Sequence, residues 1–314
     1  MMRVTVTGAT GLIGSKLVTG LRSEGAEVTV LSRDPTRARM QLPSQSTAGE
    51  LRAVLWDPLR EAAPTAALEG RDAVIHLAGE NVAQRWSASA KRAIRESRVL
   101  GTRNLLRGLR DCAARQGVEG RPAVLVSASA VGYYGARGEE PLDEEAPAGS
   151  DYLAQVCVAW ETEARAAAEL GMRTVQVRIG VVLDRDGGAL AKMLPPFRLG
   201  LGGPVAGGRQ YVSWVHPQDI LGVVRAAVLD ERWSGPVNAT APEPVTNREL
   251  SHALGRALSR PALLPVPAIA LRALYGEMAR VVTSGARVLP AKPLMLGYVF
   301  EHPQLDGALS AALG

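Results

Sequence analysis

The sequence predicts an α/β protein: a doubly wound parallel sheet with a smaller C-terminal α/β lobe. Six short apolar runs alternate with stretches of helical periodicity up to about residue 180, the pattern of parallel strands joined by crossover helices. The first two runs are joined by a glycine-rich turn, Thr7-Gly8-Ala9-Thr10-Gly11-Leu12-Ile13-Gly14, that opens a helix. Beyond residue 180 the alternation gives way to glycine, proline and brief apolar runs, followed by a fresh set of helices.

Each element follows from its own residues. Val4-Thr5-Val6 is the first strand, and Leu12, Ile13, Leu17, Val18 and Leu21 recur at helical spacing after it. Glu27–Ser32 reads as the second strand and Val54-Leu55-Trp56-Asp57 as the third, across a polar loop over 40–52. Ala73 to Gly79 begins as a buried strand and ends in small residues. A long helix spans 88–115, a fifth strand Pro122–Ala128, a further helix about 152–170, and a sixth strand Thr174–Ile179. The chain returns to the main sheet near Trp214-Val215, and helices follow over 220–229, 247–259 and 268–279. This divides the protein into a nucleotide-binding domain over 1–180, rejoined by 213–232, and a substrate lobe from 181–212 and 233–314.

Composition excludes several classes. Apolar residues make up 46% of the 314, as in globular proteins. No apolar run reaches the roughly 18 residues of a membrane helix, and no leader pattern opens the chain, so a cytoplasmic protein is expected. Cys112 and Cys157 have no metal-type spacing and read as buried free thiols. The net charge of +5 is carried by scattered arginines without interleaved aromatics, which argues against nucleic-acid binding.

The opening turn carries the chemistry. Three glycines at intervals of three let the backbone turn tightly and approach a ligand, and the unpaired N–H groups of the following helix suit a phosphate. With a strand before it and a helix after it, this is the fingerprint of a dinucleotide site. The tip of the second strand then decides which dinucleotide. An acid there bonds the ribose 2′-hydroxyl of NAD, and an arginine accommodates the 2′-phosphate of NADP. Ser32 and Arg33 stand at that tip, with Arg37 nearby and the first acid, Asp34, one step beyond, so NADP(H) is expected. Leu77, Ala78 and Gly79 lie at the carboxyl end of the fourth strand, where ligands bind in open α/β sheets. Asp57 could accept from the adenine amino group or simply occupy a surface loop, and Arg98 and Thr102 could face the cofactor. His76 reads as a core residue.

Together these stretches resemble the extended short-chain dehydrogenase/reductase superfamily: Thr7–Gly14, His76-Leu77-Ala78-Gly79, the Ser127-Ala128-Ser129-Ala130…Gly135 run, and Trp214-Val215-His216-Pro217-Gln218-Asp219. Ser129–Gly135, Leu194–Pro204 and the C-terminal Arg287–Leu294 with Gly297–Phe300 are similar to its "epimerase family" branch, which has its own C-terminal domain of unknown function. The resemblance implies a Rossmann-type fold and an NADP site formed by Gly8, Thr10, Gly11, Leu12, Ile13, Gly14, Ser32, Arg33, Leu77, Ala78, Arg98 and Ser127. Ile179 to Val182 would face the nicotinamide. A small-molecule substrate and a homodimer through the two long helices are also implied.

The superfamily's chemistry uses a serine, a tyrosine acid/base, and a lysine four residues after the tyrosine. A phenol with a pKa near 10 is a poor base at neutral pH without a nearby cation. Ser129 fits the serine. Four residues after Tyr152 stands Val156, and alignment on Trp160-Glu161 puts Leu153 and Cys157 in the two positions instead. The expected lysine is missing in either register. Tyr133 or Tyr134, beside Ser129, could supply the acid, and Glu80 or His216 could handle a proton. Two functions stay open: an NADP-dependent oxidoreductase or epimerase-like enzyme with a non-standard site, or a non-catalytic NADP-binding sensor.

Overall fold

The computed structural model describes residues 1–42, 49–117 and 120–314. Its strands are β1 (Arg3–Thr7), β2 (Glu27–Ser32), β3 (Leu51–Leu55), β4 (Ala73–His76), β5 (Val124–Ala130), β6 (Pro141–Leu142), β7 (Arg173–Ile179), β8 (Val181–Val182), β9 (Tyr211–Val212), β10 (Trp214–Val215), β11 (Gly235–Ala239), β12 (Val245–Thr246) and β13 (Arg287–Val288). Seven form one sheet in the order β11-β7-β5-β4-β1-β2-β3, every neighbouring pair parallel. The order reverses beside β1, the switch point at which a doubly wound sheet opens a crevice at its carboxyl edge.

Helices cover both faces. On one side α1 (Leu12–Ser23) and α6 (Pro217–Leu229) bury Leu17, Val18, Leu21, Ile220, Val223 and Val224 against the valines of the sheet. On the other, α3 (Ala88–Gln116) and α4 (Tyr152–Arg165) close a second core around Leu31, Val74, Leu105, Leu109, Leu125 and Ala164. Ends are fixed by side chains: Ser87 accepts from Ala90 N, and Asp151 from Ala154 N, each at a helix N-terminus. A third core belongs to the C-terminal lobe. There α5 (Gly188–Arg198), α7 (Asn247–Ala257) and α11 (Leu305–Leu313) pack Leu190, Phe197, Leu254 and Leu309 around Trp214. The short helices α8 (Ala268–Tyr275), α9 (Ala279–Thr283) and α10 (Ala291–Met295) complete that lobe.

The structure corrects four sequence expectations. The sheet has seven strands, and the chain rejoins it through Gly235–Ala239, which pairs with β7. Trp214–Val215 pairs instead with Val181–Val182 in a separate ribbon. The strand signal at 235–239 is weak because glycine and proline open it, and proline is tolerated only because β11 is an edge. The third strand ends at Leu55, so Asp57 lies beyond it; the expected loop over 40–52 contains the end of α2 (Pro35–Gln41) and the start of β3, while its residues 43–48 lie outside the described residues. The helix starting at Tyr152 stops at Arg165 and tightens into a 3₁₀ turn over Ala166–Leu170. Finally, α5 runs through Pro195 and Pro196, in the stretch read as glycine, proline and brief apolar runs.

Candidate active site and nucleotide cradle

The opening turn is shaped by contacts only glycine permits. Gly8 has φ +71°, and a Cβ there would lie 2.7 Å from the backbone N of Ala78 and the backbone C of Leu77. A Cβ on Gly14 would stand 2.2 Å from Gly8 O, and one on Gly11 3.2 Å from the same oxygen. The end of β1, the start of α1 and the end of β4 thus meet at backbone distance. Gly11 caps α1 with no side-chain bond and no acid follows in the first turn, so the N–H groups of Leu12, Ile13 and Gly14 face outward unpaired, beside exposed Thr10. This is a cradle for an anion on a backbone that a Cβ would fill.

At the tip of β2, Ser32 Oγ accepts from Asp34 N at 3.1 Å. Asp34 is used locally: its carboxylate caps α2 by accepting from Arg37 N at 2.9 Å. Arg33 and Arg37 are exposed, and Arg33 has no ion pair or hydrogen bond among the described residues. Asp34 is therefore engaged, and the Arg33 guanidinium beside it has no partner among the described residues. Asp57 is likewise a turn residue, accepting from Leu59 N at 3.0 Å and paired with Arg60 at 3.2 Å.

At the end of β4, Leu77 and Ala78 donate their N–H groups to Thr7 O and Thr7 Oγ1. Arg98 folds against Gly79: a Cβ there would be 3.1 Å from Arg98 Cζ, and Arg98 Nη1 donates to Glu80 O at 3.0 Å. Glu80 is tied into the same loop, donating its N–H to Ser97 Oγ and accepting from Gln84. His76 is a core residue. It is fully buried between Thr7 Oγ1 (2.7 Å) and Thr102 Oγ1 (3.0 Å), and burial lowers its pKa to about 4. Thr102 is therefore also a core residue.

The end of β5 holds the candidate chemistry. Ser127 is buried in the row with His76, its hydroxyl donating to Ala128 O at 3.2 Å. Ser129 sits two rows further, level with Arg178 of β7 and Asn238 of β11. Ser129 Oγ donates to Glu161 Oε1 at 2.7 Å, and Glu161 is held by Arg178 through Nε at 2.9 Å and Nη2 at 3.0 Å. Arg178 Nη1 also donates to Tyr134 Oη and to Glu144 O, and Tyr134 Oη donates to Asn238 Oδ1 at 2.7 Å. Glu144 accepts from the backbone N–H groups of Asn238 and Lys292. Burial opposes the charge on Arg178, but the hydrogen bonds and charge of Glu161 outweigh it and raise its pKa. Burial also pushes Tyr134 up to about 12, against the pull of Arg178. Tyr134 is thus a neutral structural phenol.

Tyr133 differs from its neighbour. It is half-buried, its hydroxyl has no hydrogen bond among the described residues, and the Arg178 guanidinium lies 3.5 Å from its ring centroid. On α4 the residues of the two registers meet different neighbours. Tyr152 turns away, its hydroxyl on Lys91 O and its ring against Trp86. Leu153 and Cys157 face Gly132, whose Cβ would meet Leu153 Cβ at 3.5 Å and Cys157 Sγ at 4.0 Å. Burial pushes the Cys157 thiol up to about 12. The Glu161–Arg178–Asn238–Glu144 network was missed from sequence. Its signal is an arginine in the middle of a buried strand, which demands a partner, and Glu161 one turn beyond Cys157 supplies it.

Ile179 ends β7 and Val182 ends β8, joined through Gly180; Val181 N donates to Ser213 O at 2.8 Å. Val182 borders Leu12 and Ile13 together with Pro217 and Ile220, so the α1 cradle and this bend adjoin. His216 is structural: Nδ1 caps α6 by accepting from Gln218 N, the ring lies 3.8 Å from that of His302, and burial lowers its pKa to about 4, with His302 adding to the effect. Polar bridges tie the loop after β4 to the C-terminal lobe: Lys192 to Ala83 O at 2.7 Å, Arg85 to Ala273 O at 3.3 Å, and Lys91 to Glu277. Among the described residues no helix is long and apolar enough to cross a membrane, and no group of three or more His, Cys, Asp or Glu residues is placed to hold a metal.

Known proteins are similar to this chain in sequence and fold. Residues 4–236 match the NAD dependent epimerase/dehydratase family, and residues 266–312 match a domain of unknown function, DUF1731. The chain is 41% identical over 312 residues to the Arabidopsis thaliana epimerase family protein SDR39U1 homolog, chloroplastic, covering 99% of this chain and 87% of that protein. It is 40% identical over 311 residues to the epimerase family protein MT2273 of Mycobacterium tuberculosis, covering 98% and 97%. The crystal structure of human epimerase family protein SDR39U1 (isoform 2) with NADPH superposes with a TM-score of 0.86 at 33% identity, covering all of both chains.

Proposed function

Because the chain belongs to the NAD dependent epimerase/dehydratase family, we propose that it is an NADP(H)-binding oxidoreductase or epimerase-like enzyme that acts on a small polar substrate without a Tyr-x-x-x-Lys pair. The carrying observation is the free Arg33 at the tip of β2, beside an acid already engaged in capping α2. The glycine cradle fits a pyrophosphate, and the human relative's structure contains NADPH. When bound, the nicotinamide supplies or accepts a hydride.

The chain's own residues divide the remaining work. The N–H groups of Leu12, Ile13 and Gly14 hold the pyrophosphate, and Ser32 and Arg33 hold the 2′-phosphate. Leu77, Ala78 and Gly79 present backbone to the ribose side, and Ile179 to Val182 back the nicotinamide. Tyr133 holds or releases the proton on the substrate oxygen, because its hydroxyl is uncommitted while that of Tyr134 is bonded twice. Ser129 donates its one proton to Glu161, so towards the substrate it acts as an acceptor for the hydroxyl form. The C-terminal lobe packed around α5, α7 and α11 covers the substrate. A cytoplasmic setting suits the two buried free cysteines. A homodimer through α3 and α4 would be polar, since their outer faces carry the Arg103–Glu163 and Arg110–Glu169 pairs.

A second reading, a non-catalytic NADPH sensor, is favoured by one observation: Ser129 gives its proton to Glu161, and Leu153 and Cys157 occupy the positions of the expected tyrosine and lysine. Following NADPH oxidation over broad panels of carbonyl and sugar-nucleotide substrates separates the two. Turnover that Tyr133→Phe removes supports the enzyme. Tight NADPH binding with no turnover, and a partner protein whose affinity follows the cofactor's redox state, supports the sensor.

A further inference from the structure

We propose that an exposed apolar ribbon and helix of the C-terminal lobe form a docking face for the surface of an anionic lipid bilayer. The inference is independent of the enzyme reading above. Two stretches far apart in sequence run side by side here. Val205 and Val266 form a parallel bridge, Leu264 N donates to Gly202 O at 3.2 Å, and Val266 N donates to Pro204 O at 2.9 Å. Arg260 Nε ties the far end by donating to Arg198 O at 3.1 Å. After Pro267 the second stretch continues into α8, whose 8 residues include none that is buried. Along this path Leu199, Leu201, Leu263, Leu264, Ile269 and Leu274 are each 50–77% exposed. Single exposed leucines are ordinary, but a run of them on paired segments marks an interaction surface.

Charge identifies the partner. Over 194–210 and 259–282 the chain carries five arginines, Arg198, Arg209, Arg260, Arg272 and Arg280, and one acid, Glu277. All five arginines are exposed and none makes an ion pair among the described residues, whereas Glu277 is held by Lys91. Protruding aliphatic side chains rimmed by long cationic ones match the layers of an anionic bilayer, acyl chains within and phosphates outside. An arginine can lay its stem along apolar surface while its head stays with the phosphates. An 8-residue helix is too short to span a bilayer, so the face lies on the surface. A second copy of the chain fits less well, because a two-fold contact would set this arginine-rich patch against itself with no unpaired acid in either stretch. Protein hot spots favour aromatic anchors over leucine, and the aromatic residues of these stretches, Phe197 and Tyr275, are buried and half-buried.

The test is flotation of the full chain with vesicles of phosphatidylcholine alone and of phosphatidylcholine mixed in equal parts with phosphatidylglycerol. The expected result is binding to the mixed vesicles, little to the neutral ones, and a fall in binding as salt is raised. Leu263→Glu combined with Ile269→Glu should weaken binding by about tenfold or more. Arg260→Gln combined with Arg272→Gln should remove the preference for anionic lipid. Leu229→Glu, at an exposed apolar residue outside the face, should leave binding unchanged. Every substituted residue is exposed, so circular dichroism should not change. Should the double glutamate variant misfold, the arginine pair alone decides. No binding to the mixed vesicles at low salt, or equal binding by the face variants and the unsubstituted protein, overturns the proposal. A chain that ignores vesicles but forms a concentration-dependent dimer, lost in Leu263→Glu with Ile269→Glu, also overturns it and assigns the face to a second copy.

Discussion

Glu161 of α4 and Arg178 of β7 form a two-pronged ion pair sealed between helix and sheet, with side-chain exposures of 0% and 2%. Its worth lies in completeness. Glu161 also accepts from Ser129, and Arg178 also donates to Tyr134 and Glu144 O. Removing one member leaves the other charge buried. Glu161→Ala should therefore lower stability by about 3–5 kcal/mol, as read by denaturant unfolding. Replacing both, as in Glu161→Leu with Arg178→Met, should cost less than the single change. A smaller loss in the single variant than in the double would show that the pair is not what holds α4 to the sheet.

Cofactor choice hinges on Arg33. NADPH should bind more tightly than NADH, and Arg33→Ala should remove about 1–3 kcal/mol of that preference, the scale of a charge-assisted bond. Fluorescence titration with both nucleotides measures it. Equal affinities in the unsubstituted protein would contradict the reading of the β2 tip.

The cradle predicts a separation of binding from folding. Gly11→Val places a side chain over the N–H groups of Leu12 and Ile13 while its Cβ stands 3.2 Å from Gly8 O, so binding should vanish in a protein that still folds. Gly14→Ala should instead damage the fold, since its Cβ would sit 2.2 Å from that oxygen. Circular dichroism beside a nucleotide titration distinguishes the two, and retained binding in Gly11→Val would mean the phosphate lies elsewhere.

Tyr133 and Tyr134 should respond oppositely to phenylalanine. Tyr134→Phe strips a buried bond from both Arg178 and Asn238 and should lower stability by about 1–3 kcal/mol. Tyr133→Phe removes a hydroxyl with no partner, so stability should hold while any turnover falls by about 10²–10⁴. Unchanged turnover in Tyr133→Phe would rule it out as the proton donor.

Acid should destabilise the protein through its buried histidines. His76 and His216 are each lowered from 6.5 to about 4, chiefly by burial. The unfolded chain therefore binds more protons between those values, and the stabilising difference is full above pH 6.5 and is lost as pH falls toward 4. For fully buried His76 the effect is on the order of 3 kcal/mol. Denaturation curves at pH 7 and pH 5 should show it, and His76→Gln should flatten the dependence.

What the sequence disclosed follows from how local each signal is. The cradle was legible because glycine spacing, a strand before and a helix after sit within a dozen residues. The second strand was read to its ends because its apolar run is bounded by Glu27 and Ser32. By contrast, β11 opens with glycine and proline and gains its identity only by lying beside β7. The Arg178 network joins a helix to a strand and loops, Glu161 at 17 residues and Tyr134 at 44, so no single element's periodicity contains it. The missing lysine was visible as an absence, but the packing of Leu153 and Cys157 on Gly132 appears only in the fold.

The late arrival of β11 bears on synthesis. A nascent chain that has just completed β7 carries a raw edge of unpaired peptide groups, with Arg178 lacking the Tyr134–Asn238 bond beside it. All of α5 and α6 must emerge before Gly235–Ala239 can cover that edge, a wait of several seconds at roughly 5–20 residues per second. For that interval the half-made protein offers a template for intermolecular pairing, so chains truncated near residue 180 should aggregate more readily than the full chain, as light scattering would read.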